Sequence, residues 1–282
     1  MALDLVHEPT ESVLAGVEAR LVFSNRGQEK PYAYVGKPPE GVPQNRGEYQ
    51  THVVRIENVR STVGDLSLDV EGVALVRSPT AVGDFWDEAQ TLALGHPEAA
   101  ELVKEITGAA RVVVFDHTLR RRSEGASDRA PNLPRQPASR VHVDQTVRSG
   151  PQRVRDVMGD QAEDLLKRRA AIINVWRPIA RPARDWPLAI ADARGVGQDD
   201  LIASDLIFPH RKGEIYVVAH NPAQRWLYVP DVRPDEAILI KCWDSDPTVA
   251  RFAPHTGFED PTTPAGAPPR ESIEFRTIAF FD

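Results

Sequence analysis

The chain has 282 residues with 41% hydrophobic and 27% charged side chains, ordinary values for a globular protein that buries a sizeable core. All-β barrels of roughly 200–250 residues routinely fold as single domains, so this length suits one such unit. The formal net charge of −7 argues against general nucleic-acid binding, and the lone cysteine, Cys242, excludes an internal disulfide and a cysteine-based zinc site.

Neither a membrane span nor a secretory signal is predicted. No run of about 18 apolar residues occurs, and the first sixteen residues lack the basic start and apolar centre of a signal peptide. We therefore expect a cytoplasmic protein that acts on a small molecule, with no role on nucleic acid or at a membrane. Residues 111–155 hold ten arginines against four acidic residues, a pattern typical of an anionic ligand or of a solvated surface. The sequence is compatible with a homodimer.

Three proline-rich stretches are predicted to be loops, because proline fixes φ and has no backbone N–H to donate. They lie at 31–47, 129–137 and 260–270. Elsewhere, runs rich in β-branched and aromatic residues predict nine strands. These predicted strands are 51–59, 68–76, 111–119, 140–147, 170–179, 214–220, 225–230, 237–244 and 272–281.

Two segments have the apolar spacing of helices. Residues 96–108 place Pro97 near the start and Gly108 as a stop. Residues 151–169 carry an apolar face that Gly159 is expected to interrupt. Many strands with few helices outside them are typical of a β-sandwich or a jelly-roll barrel and not of alternating βαβ units. The sequence has no glycine-rich phosphate loop.

The stretch RVHVDQT, residues 140–146, is the first candidate for chemistry. In a strand, residues two apart point to the same face, so His142 and Asp144 project together. An imidazole and a carboxylate in this arrangement can bind one metal ion. A second histidine would complete the two-histidine, one-carboxylate triad of non-haem iron(II) oxygenases. The pair alone is weak evidence, because a strand histidine with a local hydrogen-bond partner has the same pattern.

The third position of such a triad has seven candidates. The choice depends on an R-x-S that Arg270 and Ser272 form at the start of a predicted strand. It follows one of the candidates, His255, after 14 intervening residues. A guanidinium binds a carboxylate through two parallel hydrogen bonds, and the serine hydroxyl can donate a third. This pair suits the distal carboxylate of a dicarboxylic 2-oxo acid, so the ordered set predicts iron(II) and 2-oxoglutarate. The seven candidates are His7, His52, His96, His117, His210, His220 and His255.

Arg276 competes with Arg270 for the carboxylate of 2-oxoglutarate. It shares the face of Arg270 but lies six residues further along the strand, roughly 20 Å deeper at about 3.3 Å per residue. The length of the loop after His255 favours Arg270. Arg276 could instead form a buried ion pair with Glu274 or Asp116.

The order H-x-D, H, R-x-S resembles that of the iron(II)/2-oxoglutarate-dependent dioxygenases. Longer strings are similar to one branch, the hydroxylase/desaturase family of secondary metabolism that includes gibberellin-desaturase-like proteins and the cephamycin methoxylation protein. The similarity runs from about residue 30 to the C-terminus. Where Gln224 stands in NPAQRW the family often has histidine, so the substrate is not carried over. The similar strings are FDHTLRRR, RVHVDQT, IINVWRPI, ILIKCWDSD, ARFAPHTGFEDP and PPRESIEFR.

The resemblance implies a mainly β fold, a double-stranded β-helix (jelly roll) with flanking α-helices. It implies a single oxygenase domain over residues 1–282 with an N-terminal extension at about 1–50. The implied enzyme is a non-haem Fe(II)/2-oxoglutarate-dependent dioxygenase that consumes O2 and hydroxylates, desaturates or cyclises a small molecule.

The resemblance also implies a set of site residues. The implied iron ligands are His142, Asp144 and His255, and Arg270 with Ser272 would hold 2-oxoglutarate.

Further residues have two interpretations each. Asn174 and Trp176 share one face of a predicted strand, where they contact 2-oxoglutarate or substrate, or have a structural role. Residues 120–122 form a basic rim at the site or a solvated surface. Tyr32 and Tyr34 lie in a predicted loop, and either cover the active site or pack locally.

Two other classes fit part of the pattern. A metal-dependent hydrolase or isomerase on the same barrel could use the three ligands on zinc or manganese, but it would need neither the R-x-S nor O2. A non-catalytic binding protein would hold no metal. Cys242 is not a candidate nucleophile, because it lies in an apolar strand with no histidine near it in sequence.

Overall fold

The fold is built mainly from β-strands. The computed structural model describes residues 15–123, 125 and 134–282, and within these ranges it contains fifteen strands. Their bounds are β1 (Gly16–Ser24), β2 (Tyr32–Tyr34), β3 (Asn45–Arg46), β4 (Tyr49–Asn58), β5 (Val73–Arg77), β6 (Arg111–Arg121), β7 (His142–Val143), β8 (Ala170–Pro178), β9 (Leu188–Ala191), β10 (Leu201–Ile207), β11 (Lys212–Val218), β12 (Trp226–Tyr228), β13 (Glu236–Asp244), β14 (His255–Gly257) and β15 (Glu271–Phe280).

Four α-helices lie between the strands of the described ranges, and the longest has twelve residues. None of the helices in these ranges has the length and apolar character that crossing a bilayer requires. The helices are α1 (Glu88–Gln90), α2 (His96–Thr107), α3 (Ser149–Met158) and α4 (Ala162–Leu165).

The strands form two sheets. The large sheet has the order β1-β4-β12-β9-β14-β7-β11-β10-β2-β3, and the small sheet has the order β5-β13-β8-β15-β6. Strand pairs are antiparallel except β2 with β10 and β4 with β12. Neighbours in the large sheet come from distant parts of the chain. As a result, β7 and β14 lie side by side although more than 100 residues separate them.

The small sheet is covered on both faces, as its central strand β8 illustrates. Ile172 and Trp176 point between the two sheets and belong to the same core as Val143 of the large sheet. Ile173 and Val175 point the other way and pack in a second core with α2. A strand buried on both faces is apolar without alternation, which explains the continuous apolar run that predicted it.

Both predicted helices are confirmed. α2 ends at Gly108, which adopts a left-handed φ of 69° and closes the last turn. The predicted helix 151–169 is divided into α3 and α4 by Gly159, whose φ is 53°. A positive φ is accessible to glycine at little cost, so this residue sets the interruption.

All nine predicted strands overlap an observed one, but two were predicted too long. The segment 68–76 is a strand only from Val73, because residues 67–72 form a turn closed on the carbonyl of Ser67. The segment 140–147 is a strand only over β7. Directly afterwards, the side chains of Thr146 and Ser149 each accept a hydrogen bond from the other's backbone N–H, and α3 begins.

Several strands were not predicted, namely β1, β2, β3, β9, β10 and β14. Two of them, β2 and β3, lie within 31–47, so the prediction of a continuous loop there is wrong. Three of the six, β2, β3 and β14, have only two or three residues and depend on their neighbours: β2 pairs with β10, and β14 lies between β7 and β9. The described part of the predicted N-terminal extension thus supplies three strands to the large sheet.

Candidate metal centre

Two distant segments of the chain bring two histidines and an aspartate together at the large sheet. His142 on β7 and His255 on β14 are directly opposite each other in the antiparallel pair. Their ring centroids are 4.6 Å apart at an interplanar angle of 52°. With Asp144, they place one ligand atom each within 4.8 Å of the others. The structure therefore brings together the H-x-D pair and the histidine that the sequence favoured.

Backbone carbonyls fix the tautomers of both histidines. Nδ1 of His142 lies 2.9 Å from the carbonyl of Arg140, and Nδ1 of His255 lies 3.1 Å from the carbonyl of Ala253. A carbonyl only accepts, so each Nδ1 carries the proton and each Nε2 keeps a lone pair. Nε2 of His255 is buried and has no hydrogen-bond partner. This unpaired nitrogen is therefore suited to coordinate a metal ion.

The carboxylate of Asp144 is oriented by two donors. Its Oδ2 accepts from Nδ2 of Asn174 at 2.9 Å and from Nε of Arg276 at 2.8 Å. The other oxygen, Oδ1, lies 3.5 Å from Nε2 of His142. One oxygen is thus held by the protein, and the other faces the histidines.

The electrostatics hold these groups in the protonation states that a metal requires. Burial lowers the pKa of His142 to about 4, and the neighbouring His255 adds to the effect. Burial alone would raise the pKa of Asp144, but the charge of Arg276, with the two histidines, holds it well below its usual range. At neutral pH, His142 is therefore a neutral imidazole and Asp144 a carboxylate, ready to bind a cation without first losing a proton.

Arg270 is a buried cation that lacks a carboxylate partner among the described residues. Only 3% of it is exposed, and its guanidinium lies over the ring of Trp176 at 5.5 Å. One terminal nitrogen donates to the carbonyl of Trp186, but Nε is buried without a partner, as is Oγ of Ser272. Burial, assisted by the charge of Arg120, lowers the pKa of Arg270 to about 9, so it remains charged at neutral pH.

Arg276 differs from Arg270 because three carboxylates already surround it. It pairs with Asp144, with Asp116 at 3.1 Å and with Glu274. The ion pairs with Asp116 and Glu274 are those the sequence offered as the alternative role of this residue. Arg276 has no orphaned nitrogen left for a further anion.

Two further candidates lie on β8 between the sheets. Asn174 is paired with Arg276 in the strand register, and Trp176 with Glu274. Asn174 uses its amide nitrogen on Asp144, while Oδ1 of Asn174 and Nε1 of Trp176 are buried without partners. The contact with Asp144 therefore supports a structural role for Asn174, and the sequence did not indicate this contact.

The other described histidines have different surroundings. Nε2 of His96 lies 3.0 Å from Nδ1 of His117, which also contacts Glu88, and the ring of His52 stacks on that of His220 at 4.0 Å. None of these is grouped with the candidate ligands. His7 lies outside the described residues, and His210 is in an exposed turn.

The remaining predicted rim and lid residues have defined places. Tyr32 and Tyr34 are in β2, not in a loop, and their rings are in edge contact at 5.7 Å. Arg121 pairs with Glu271 and Arg122 with Asp185, so this basic cluster is bound to acidic partners.

Gln224 supports a turn, since its amide donates to Asp200 and to the carbonyl of Ala219. Cys242 is buried, and burial raises the pKa of its thiol well above the usual value, which removes it as a nucleophile.

An open cavity of about 1880 Å³ leads to His142 and Asp144. No local sequence pattern indicated the walls of this cavity, because its lining comes from at least five separate segments of the chain. Three arginines in the wall stack on aromatic rings: Arg140 on Tyr49, Arg153 on Phe115 and Arg211 on Phe208.

Comparison with known proteins gives a consistent result. A family model described as "Oxidoreductase/YMDC permease-like domain" matches residues 21–280. The "Hydroxylase/desaturase efuI" of Hormonema carpetanum is 33% identical over 262 residues, 86% of this chain and 88% of the relative. The "Fe(II)/2-oxoglutarate-dependent dioxygenase nvfI" of Aspergillus novofumigatus is 30% identical, covering 93% and 95% of the two chains. A solved structure of the "iron and alpha-ketoglutarate-dependent endoperoxidase NvfI" superposes with a TM-score of 0.86 at 28% identity, covering 95% of this chain and 99% of that one.

Proposed function

The chain belongs to the hydroxylase/desaturase family of Fe(II)/2-oxoglutarate-dependent dioxygenases, and we propose that it oxidises a small molecule of secondary metabolism at its metal centre. The names of its relatives include hydroxylase/desaturase and endoperoxidase. We infer that hydroxylation, desaturation or ring closure is the outcome here, and that the placement of the substrate in the cavity decides between them.

His142, Asp144 and His255 are the proposed iron ligands. The observation that carries this proposal is the unpaired, buried Nε2 of His255, in a group where each of the three residues places a ligand atom within 4.8 Å of the others. A buried polar atom without a partner is costly unless a ligand satisfies it. Two imidazoles and one carboxylate suit iron(II) and leave the remaining positions for co-substrates.

Arg270 with Ser272 is the proposed anchor for the distal carboxylate of 2-oxoglutarate. Both are buried, Ser272 on the strand β15 and Arg270 directly before it, and both have an unpaired polar atom. The guanidinium has no carboxylate partner among the described residues. Arg270 also lies close to the strand that carries the proposed iron ligand His255. Its Nη1 would be 3.4 Å from a Cβ added to Gly257, which is two residues after His255. Arg276 is excluded from this role in the proposal because its charge is already matched.

The proposed architecture around this centre is a double-stranded β-helix, or jelly roll, formed by the large and small sheets as a single domain. His142 and His255 lie on strands of the large sheet, and Asp144 directly follows β7. Ser272 and Arg276 lie on β15 of the small sheet, and Arg270 directly precedes it. We therefore propose that the centre occupies the space between the two sheets. The second core, which contains α2, lies on the other face of the small sheet.

When bound, iron(II), 2-oxoglutarate and O2 supply the oxidation, with succinate and CO2 as co-products. The chain contributes ligation and orientation. Asn174 and Arg276 hold Oδ2 of Asp144, so that Oδ1 is presented to the metal, and the two backbone carbonyls keep the histidine rings in the correct tautomer. The cavity admits the substrate, which we propose to be a small molecule and not a macromolecule.

An anaerobic spectroscopic experiment tests the proposal. The protein with iron(II) and 2-oxoglutarate should show a weak metal-to-ligand charge-transfer band in the visible region. His255→Ala should abolish the band, whereas His210→Ala, in an exposed turn, should retain it. A band that is unaltered in His255→Ala would exclude this residue as a ligand.

Admission of O2 separates oxygenase from hydrolase chemistry. Succinate should appear only when iron(II), 2-oxoglutarate and O2 are all present. Turnover of a substrate without O2, or with zinc alone, would instead support the metal-dependent hydrolase or isomerase.

A further inference from the structure

The cavity that leads to the candidate metal centre is basic although the protein is acidic. Its lining includes eleven lysines and arginines but only five aspartates and glutamates, whereas the whole chain has a formal net charge of −7. A concave surface of one sign concentrates ligands of the opposite sign. The question is which of these cations remain available to a ligand.

Several of the lining cations are already paired. Lys30 forms ion pairs with both Asp205 and Glu214 and so bridges two carboxylates of the cavity. Lys212 lies 2.6 Å from Asp205, and Arg155 lies 2.6 Å from Glu163. These residues gain little from a further anion.

Arg153 and Arg211 are different. The contact of Arg153 with Asp156 is 3.9 Å long, at the limit of an ion pair, and its Nε is buried without a partner. Arg211 has no side-chain acceptor among the described residues. Each guanidinium lies over an aromatic ring of the cavity wall, Arg153 over Phe115 at 5.3 Å and Arg211 over Phe208 at 3.7 Å.

These stacks leave the guanidinium edges free. A ring under the plane of a guanidinium holds its orientation while the N–H groups at the edge still point outward. The two groups are also near each other: burial, followed by the charge of Arg211, lowers the pKa of Arg153. Asp156 and Asp116 offset only part of this effect. Two like charges facing one cavity repel, and an anion bound by both would relieve the repulsion.

We propose that the substrate of this enzyme carries a carboxylate, and that Arg153 on α3 and Arg211 in the turn between β10 and β11 bind it. This inference rests on the proposed function, because it concerns the substrate of the same site. Phe115 precedes Asp116, which pairs with Arg276 beside the candidate ligand Asp144. The carboxylate would therefore fix one end of the substrate at the wall of the cavity, and the cavity volume of about 1880 Å³ leaves room for a bulky body beyond it.

The test uses a bulky acid and its neutral derivative as probes, 1-pyrenebutyrate and its methyl ester. Each is dialysed to equilibrium, without O2, against the protein loaded with iron(II) and saturating 2-oxoglutarate, so that Arg270 is not available to the probe. The acid should bind at least about tenfold more tightly than the ester, because its carboxylate forms charge-assisted hydrogen bonds that the ester cannot form. Tenfold corresponds to about 1.4 kcal/mol. Equal binding of acid and ester, or binding of neither, overturns the inference.

Variants then assign the preference to the two arginines. The double variant Arg153→Met/Arg211→Met should bind acid and ester alike, while Arg155→Met, on the same helix but paired with Glu163, should keep the preference. In the single variant Arg211→Met, the preference for the acid over the ester should fall at least about threefold. Because Arg211 is in an exposed turn, this variant provides the test if the double variant fails to fold. Retention of the full preference in Arg211→Met and in the double variant overturns the inference.

The charge-transfer band keeps the two proposals apart. It should be unchanged in all these variants, because neither arginine contacts the candidate iron ligands. If the wild-type protein lacks the band, the iron proposal fails, whereas the acid–ester comparison still reports on the arginine pair. If the band is present and the comparison fails, only the carboxylate inference is lost.

Discussion

Asn174→Ala tests whether the orientation of Asp144 matters to the metal centre. Asn174 is fully buried, and its amide nitrogen donates to Oδ2 of Asp144 at 2.9 Å. A hydrogen bond to a charged group contributes about 1.5–3 kcal/mol, and partners of metal ligands typically change metal affinity by about 10–100-fold. Arg276 still contacts the same oxygen in the variant, so Asp144 stays ionised and the loss should fall near the lower end of that range.

The assay is an anaerobic titration of the metal-free protein with iron(II) at saturating 2-oxoglutarate, followed by the charge-transfer band. Asn174→Ala should raise the Kd for iron(II) at least about tenfold, equivalent to about 1.4 kcal/mol. Asn221→Ala is a matched control, because it removes an amide contact with a different carboxylate, Asp200. An unchanged Kd for iron(II) with a weaker Kd for 2-oxoglutarate would refute this reasoning and return Asn174 to the role of a co-substrate contact.

Three further predictions concern the anchor, the histidines and the core. Arg270→Lys should raise the KM for 2-oxoglutarate about 10–100-fold, because an ammonium cannot reproduce the two parallel hydrogen bonds; an unaltered KM would contradict the assignment. The metal-free protein should lose a few kcal/mol of unfolding free energy between pH 6.5 and about 4, since the unfolded chain takes up a proton on His142 at higher pH than the folded one. Urea titrations should show this slope in the wild type and not in His142→Gln. Gly150→Ala should lower stability by about 1–3 kcal/mol, because its Cβ would lie under 3.0 Å from the ring of Trp243; thermal melts should show a much smaller effect for Gly83→Ala, which has only a side-chain oxygen at 3.4 Å.

The sequence predicted the elements whose pattern is local. α2 has its own periodicity and glycine stop, and β8 has a long apolar run, so both could be recognised without knowledge of their neighbours. The H-x-D pair could also be recognised locally, because its two residues are close in sequence, although Asp144 lies directly after β7 and not within the strand. His255 required a longer argument, since only its distance from Arg270 and Ser272 distinguished it from the other histidines.

Features that depend on long-range pairing could not be predicted. β14 has three residues and exists because β9 and β7 flank it. The contact of Arg276 with Asp144 joins two sheets through residues 132 positions apart, so no local pattern reports it. Arg153 and Arg211 likewise come from a helix and a turn that line the same cavity only in the folded chain.

The uncompensated charge of Arg270 has a consequence for the end of the catalytic cycle. Succinate keeps the distal carboxylate of 2-oxoglutarate and loses only the end that chelates iron. The guanidinium of Arg270 and the hydroxyl of Ser272 would therefore bind succinate and 2-oxoglutarate alike. Selectivity for 2-oxoglutarate over succinate must then arise at the metal. Succinate should then act as a competitive product inhibitor, and its release would compete with substrate entry for control of turnover.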